Sequence, residues 1–130
     1  MTTAIAPTTA EVAQELVSLC RAGKNADAIK KFYSEKIVSI ESTGSDEMPA
    51  EMSGLDAVQK KTEWWVNNNE IHSSSVNGPF LGENQFAVQY EYDSTFKPTG
   101  ERVNMKEMAL YTVKDGEIVR EEFFYNPARK

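Results

Sequence analysis

Glu41 is a carboxylate in a position where proton-transfer chemistry is possible. It ends the short β-branched run Ile37–Glu41, and strand alternation groups its side chain with those of Ile37 and Ser39. A carboxyl group with apolar surroundings holds its proton more tightly, as a general base or acid requires. The alternative is that Glu41 ends an edge strand and points to water. We interpret Glu41 as the candidate base.

Lys106 and Glu121 are two further charges, predicted on an otherwise apolar sheet face. Lys106 falls between Tyr92 and Tyr125, a position that a charge does not occupy without cost. It could orient an anionic or carbonyl ligand, pair with Glu41 or Glu121, or contact an aromatic ring. The alternative is that its ammonium group reaches water at the rim. Glu121 is then the structural ion-pair partner of Lys106.

The sequence offers little for other kinds of chemistry. His72 is the only histidine and Cys20 the only cysteine, so we expect no histidine-based triad, no metal site and no cofactor. Cys20 lies on an apolar helix stripe and cannot form an intrachain disulfide, which favours a reducing compartment. Trp65 falls on the stripe of a predicted helix and is assigned to the core, whereas Trp64 lies at its edge, as a pocket wall or a dimer contact.

The charge and hydropathy of the chain exclude several classes of partner. A formal net charge of −6 argues against nucleic acid and anionic membrane surfaces. No apolar run approaches the roughly 18 residues needed to cross a bilayer, and the N-terminus lacks the pattern of a signal peptide. We therefore expect a cytoplasmic protein that binds neither nucleic acid nor membrane.

Helix signals occur in the first half of the chain. Thr8 and Glu11 have the spacing of a capping box, which predicts the start of a helix. Gly23 is a natural stop for that helix. Asn25 is predicted to cap a second short helix and Ser53 a third, with a loop at 43–53 before it. Residues 1–7 are expected to be flexible.

The second half of the chain predicts four antiparallel strands in a meander, at about 71–81, 85–97, 101–114 and 117–126. Pro98-Thr99-Gly100 suits a three-residue hairpin and Asp115-Gly116 a two-residue hairpin. The register that these turns imply sorts the aromatic side chains onto one face. The other face is mixed. It is either half solvated or a dimer interface in which Met105, Tyr111 and Phe124 form the apolar part, and we predict a homodimer.

Together these elements predict one α+β domain over residues 1–130. Three N-terminal helices should pack on the concave face of a curved antiparallel sheet and form a cone with an internal pocket for a small apolar molecule. The residues predicted to line this pocket, besides Glu41 and Lys106, are Leu16, Tyr33, Ser39, Trp64, Val88, Tyr90, Tyr92, Met108, Leu110, Glu121, Phe123 and Tyr125.

The order helix, short helix, strand, helix and four-strand meander resembles the nuclear-transport-factor-like cone fold. That group includes ketosteroid isomerases and SnoaL-like polyketide cyclases. The local features that carry the resemblance are Ala22-Gly23 before Asp27-Ala28-Ile29 and Phe32-Tyr33, the strand Ile37–Glu41, Gly54, Asn77-Gly78-Pro79, and Lys114-Asp115-Gly116-Glu117-Ile118.

The resemblance implies a role for Glu41, because ketosteroid isomerases carry a proton-shuttling carboxylate at the end of the first strand. Their oxyanion hole needs a tyrosine and an aspartic acid at positions that align with Leu16 and Met108, neither of which can donate a hydrogen bond. Ketosteroid isomerase activity is therefore not expected. Three hypotheses remain: an isomerase, cyclase or hydratase with Glu41 as base, a non-catalytic ligand-binding module, and a dimerisation module.

Overall fold

The structure is a computed structural model that describes residues 5–46 and 48–125. Its first helix, α1 (Thr9–Arg21), begins as the sequence predicts. The Glu11 N–H donates to Thr8 Oγ1 at 3.1 Å, and the Thr8 N–H donates to Glu11 Oε1 at 2.9 Å, which completes the capping box. Residues 1–4 of the segment predicted to be flexible lie outside the described residues.

Two further helices follow within the described residues, α2 (Asn25–Phe32) and α3 (Leu55–Asn68). Their predicted caps are wrong, because the cap positions are occupied by Lys24 and Gly54 and neither helix start has a side-chain cap hydrogen bond. Gly54 has a φ of 98°, which favours glycine, and its N–H donates to Ile37 O at 2.8 Å. This contact fixes the start of α3 against the sheet. No helix in the described part of the chain is long and apolar enough to cross a membrane.

The strands within the described residues are β1 (Tyr33–Ile40), β2 (Glu51–Ser53), β3 (Asn69–Leu81), β4 (Gln85–Phe96), β5 (Glu101–Lys114) and β6 (Glu117–Phe124). They form one sheet in the order β2-β1-β6-β5-β4-β3. The predicted meander is confirmed for β3 to β6. The sheet is nevertheless mixed, since β1 pairs with β6 in parallel, and β2 lies in the stretch predicted to be loop.

The three described helices cover one face of this sheet, as expected for an α+β cone. The helix α1 buries an apolar stripe that includes Val12, Leu16 and Val17, and β4 supplies Phe86 and Val88 to the same core. At the outer edge, Arg21 ties α1 to the edge strand β3. Its guanidinium donates to the Val76 carbonyl from Nε at 3.1 Å and from Nη2 at 3.0 Å.

The predicted register of the β4–β5 hairpin is wrong by one residue. Phe96 lies opposite Glu101, so the loop has four residues, not three. The extra residue is Lys97, whose N–H donates to Asn68 O at 2.8 Å and therefore leaves the ladder. A shift of one residue turns every β5 side chain to the other face. Residues 105, 107, 109 and 111 face the interior, and 106, 108 and 110 face the convex surface.

The β5–β6 hairpin combines a correct turn with an unpredicted bulge. Lys114 pairs with Glu117 around Asp115 and Gly116, both of which have positive φ as a type I′ turn requires. Beyond the turn, Val113 faces Ile118 but Thr112 faces Arg120, so one extra residue bulges from β6. The bulge offsets the earlier shift, and consequently Glu121 and Phe123 face inward as predicted.

Candidate functional site

A cavity of about 380 Å³ opens where α3 meets the ends of the sheet. The walls come from α3, from the loop that follows β1, from β5, and from the residue that follows β6. The residues that line it are Glu41, Thr43, Gly44, Ser45, Met48, Pro49, Lys61, Trp64, Trp65, Met105, Glu107 and Tyr125. A mostly apolar wall with a few polar groups is typical of small-molecule sites.

Helix α3 supplies one wall through residues three and four positions apart. Lys61, Trp64 and Trp65 therefore project from the same helix face. The loop after β1 is held to the sheet by Ser42, whose Oγ donates to Phe123 O at 2.8 Å and accepts from the Tyr125 N–H at 3.0 Å. This anchor brings Tyr125 next to the start of the loop.

Glu41 lies on the cavity wall and is held by two donors. Its Oε2 accepts from Lys61 Nζ at 3.0 Å, and its Oε1 accepts from the Tyr125 hydroxyl at 3.0 Å. The Lys61 side chain is 12% exposed and the Glu41 side chain 23% exposed. The carboxylate is thus ion-paired, oriented and partly shielded from water.

Glu121 lies behind Lys61 and is only 3% exposed. Its carboxylate accepts hydrogen bonds from the Tyr33 hydroxyl and, at 2.6 Å, from Ser39 Oγ. Lys61 Nζ lies 2.6 Å from Ser39 Oγ and 3.9 Å from Glu121 Oε2. Burial raises the pKa of Glu121, while Lys61 and the two hydroxyl donors act in the opposite direction. Lys61 therefore bridges two carboxylates.

Glu107 is the third carboxyl group of this region and faces the cavity from β5. Burial raises the pKa of Glu107 to about 7, the charges of Glu41 and Glu121 act in the same direction, and Lys61 opposes them. Within residues 5–46 and 48–125, no side chain makes a hydrogen bond or ion pair with it. Glu107 therefore changes its charge near neutral pH.

The raised pKa of Glu107 predicts a specific dependence of stability on pH. Because the folded state holds this proton more tightly than an ordinary glutamate with a pKa of 4.5, stability should fall as pH rises from about 4.5 to about 7. At about 1.4 kcal/mol per pKa unit, the loss approaches roughly 3 kcal/mol above that range. Glu107→Gln should remove it. Urea unfolding at about pH 5 and pH 8 measures the effect, and an equal difference between variant and wild type at both pH values would contradict it.

The inner end of the cone is closed by buried aromatic side chains. The Tyr90 and Tyr111 hydroxyls lie 2.8 Å apart, and Cys20 Sγ lies 3.6 Å from the Tyr90 hydroxyl. The ring of Phe86 stacks on that of Tyr111 at 4.9 Å. Burial raises the pKa of both tyrosines well above the ordinary value. These four residues belong to the buried core and are not among the residues that line the cavity.

The structure divides the predicted site residues into four groups. Glu41, Trp64 and Tyr125 lie on the cavity. Directly behind its wall are Tyr33, Ser39, Tyr92, Glu121 and Phe123. Leu16, Val88 and Tyr90 belong to the buried core. Lys106, Met108 and Leu110 lie on the convex face, so their assignment to the pocket is wrong because of the β4–β5 register.

The same register error affects the predicted dimer residues. Met105 lines the cavity and Tyr111 is buried in the core, so neither can contribute to a contact on the convex face. Phe124 does lie there, 48% exposed.

Sequence reasoning missed Lys61 and Glu107. Lys61 is three residues after Val58 and four before Trp65. This helical spacing could have placed Lys61 on the inner stripe of α3. Glu107 had no such signal, because its orientation depends on the loop length before β5. Among the residues that the structure describes, no group of three or more His, Cys, Asp and Glu side chains could hold a metal ion.

Solved structures with the same architecture include a proposed SnoaL-like polyketide cyclase, also named a carbohydrate phosphatase, from Mesorhizobium loti. It is 41% identical in sequence, the match covers 92% of this chain and 100% of that one, and the TM-score is 0.87. A proposed isomerase from Bacillus subtilis is 16% identical, with 93% and 91% covered and a TM-score of 0.72. An NTF2-like protein from Anabaena variabilis is 12% identical, with 98% and 96% covered and a TM-score of 0.71. The last two show the fold alone.

The family is shown by the sequence itself. No curated protein gives a significant match. Residues 7–125, however, match the family profile described as the SnoaL-like domain, which spans the helices, the sheet and the cavity. The chain therefore belongs to the SnoaL-like domain family.

Proposed function

We propose that the cavity binds a small, largely apolar carbonyl compound and moves a proton on it, with Glu41 as base and Glu107 as acid. The observation that carries this proposal is the contrast between two carboxyl groups on one cavity. Glu41 is ion-paired with Lys61, whereas Glu107 is unpaired among the described residues and has a pKa of about 7. Two carboxyl groups with different environments are the usual basis of an acid and base pair.

In the proposed reaction, Glu41 takes a proton from the carbon next to the carbonyl group. Glu107 gives its proton to the carbonyl oxygen, and an enol results. With a simple ketone, the proton returns from Glu41 to the same carbon. If the compound has a carbon–carbon double bond one position further from the carbonyl group, the enol is a dienol. Return of the proton from Glu41 to the far carbon of that dienol, and of the oxygen proton to Glu107, then gives the conjugated isomer and restores both groups. A general acid or base with a pKa near the working pH is the most effective one.

The corrected register supports the role of Glu107. The family resemblance expects an acidic donor on the penultimate strand and aligns that position with Met108. Glu107 is the adjacent residue, and the four-residue loop turns it toward the cavity while Met108 points away. The proposal is also in line with the names of the similar proteins from Mesorhizobium loti and Bacillus subtilis, a proposed polyketide cyclase and a proposed isomerase.

The proposal is tested by hydrogen exchange of simple ketones in deuterated water. A panel of monocyclic and bicyclic ketones is incubated with the protein, and loss of the hydrogens next to the carbonyl group is followed by proton NMR. We expect saturable, protein-dependent exchange. Saturable binding without exchange would instead favour the alternative, a non-catalytic ligand-binding module.

We also propose that a second copy of the chain packs on the convex face of the sheet. Met108 and Phe124 pair across β5 and β6 and are 37% and 48% exposed. Exposed apolar side chains grouped on one face often mark an interface. Phe124→Lys should weaken the dimer by about tenfold or more in sedimentation velocity. Val66→Lys, at an exposed apolar residue of α3 on the opposite side of the sheet, is the control. A monomeric wild type at micromolar concentration would refute the proposal.

A further inference from the structure

The cavity is surrounded by more negative than positive charge. Glu41 and Glu121 share a single ammonium group, that of Lys61, which lies 3.0 Å from the first carboxylate and 3.9 Å from the second. Lys61 is the one basic residue among the described residues that line the cavity. One negative charge is therefore left without a partner, and ionisation of Glu107 adds a second.

Water does little to relieve this imbalance, because Glu121 is 3% exposed. Both of its carboxylate oxygens accept hydrogen bonds, one from Tyr33 and the other from Ser39. These two hydroxyl donors and the charge of Lys61 favour the ionised form of Glu121, against the burial that raises its pKa. A buried charge without full compensation is costly in free energy, and a ligand of opposite charge reduces that cost.

The remaining walls suit a cation as well. Trp64, Trp65 and Tyr125 line the same cavity, and the faces of such rings attract cations that have left water. Aromatic walls combined with a surplus of carboxylate favour a ligand that is partly apolar and partly cationic over an anionic one.

We propose that the ligand of this cavity carries a cationic group, such as an amine, next to its apolar part. The inference rests on the proposed function only in that the ligand binds in this cavity. It adds the chemical class of the ligand, which neither the fold nor the family match specifies. Ligands with a carboxylate or phosphate group should be rejected.

A pair of probes with the same shape tests this inference. Phenyltrimethylammonium and tert-butylbenzene differ in one atom and one charge. Trp64 and Trp65 are the only tryptophans of the chain, so tryptophan fluorescence reports binding in the cavity directly. Between about pH 6 and pH 8, ionisation of Glu107 should tighten binding of the cation by about tenfold and leave the neutral probe unchanged.

Glu107→Gln separates this effect from a general change of the protein with pH. The variant should bind the cation equally at both pH values. A cation affinity that follows that of the neutral probe at every pH, or that still rises with pH in Glu107→Gln, would overturn the inference. The wild-type comparison decides the question even if the variant does not fold.

The remaining outcomes distinguish the inference from the proposed function. Binding of tert-butylbenzene without binding of phenyltrimethylammonium overturns the cationic ligand and leaves a cavity that binds apolar compounds. Failure of both probes, together with absent ketone exchange, overturns both proposals.

Discussion

Replacement of Glu41 by glutamine is expected to slow ketone hydrogen exchange by about 10²–10⁴-fold, the usual contribution of a general base. Glutamine keeps the size of the side chain and can still accept the hydrogen bond from Tyr125, but it cannot take a proton. The loss should therefore appear in the rate at saturating ketone, with little change in the ketone concentration that gives half the maximal rate.

Glu107→Gln should lower the same rate by a similar factor, and the pH profile identifies its role. In the wild type, exchange should decline as pH rises through about 7, because Glu107 then loses the proton that it donates. In the variant this decline should be absent from whatever activity remains. If Glu107 were instead the base, the wild-type rate would increase over that range, and the assignment of acid and base would have to be reversed.

Glu101→Gln is the matched control for both variants. Glu101 is exposed at the start of β5 and is not among the residues that line the cavity. Its substitution should leave the exchange rate and the pH profile as in the wild type. If Glu41→Gln and Glu107→Gln both behaved like this control, neither carboxyl group would take part in the reaction.

Lys61→Met is expected to destabilise the fold by roughly 3–5 kcal/mol at neutral pH, the range seen when one partner of a buried ion pair is removed. Methionine fills similar space but leaves Glu41 and Glu121 without their shared counter-charge. Because burial raises the pKa of Glu121, this carboxyl group takes up a proton as pH falls, and the loss should then shrink. Urea unfolding near pH 7 and near pH 5 measures both effects.

Lys60→Met provides the control from the neighbouring position of the same helix. Lys60 is paired with Asp56 at 3.1 Å, but the two side chains are 76% and 82% exposed. An exposed pair of this kind contributes at most about 0.5 kcal/mol, and its loss should depend little on pH. If Lys61→Met were no more damaging than Lys60→Met, the cluster around Lys61 would be much less important to folding than its burial indicates.

Local chemistry made several features of the fold predictable from the sequence. The capping box of Thr8 and Glu11 marked the start of α1, and Asp115-Gly116 marked the β5–β6 turn, because each depends on residues close in sequence. The α+β class followed from the change of hydrophobic period between the two halves of the chain. The SnoaL-like resemblance, confirmed by the family match, extended the prediction to the cone.

The candidate site was harder to predict, since it depends on contacts between distant residues. The hydrogen bond from Lys97 to Asn68 lengthens the loop before β5, and the bulge after the β5–β6 turn has no local signal. The first feature decides whether Lys106 or Glu107 faces the cavity, and the second returns Glu121 and Phe123 to the inner face. A tertiary contact at a single loop residue thus determines which charges reach the ligand.

The hydrogen bonds from the Arg21 guanidinium to the Val76 carbonyl of β3 affect how copies of the chain can associate. An exposed outer strand is a template on which another chain can polymerise into fibrils. Because the Val76 carbonyl already accepts hydrogen bonds, the addition of a further strand to the sheet is hindered at β3, the longer of its two edge strands. A second copy that approached β3 edge-on would therefore gain fewer backbone hydrogen bonds there.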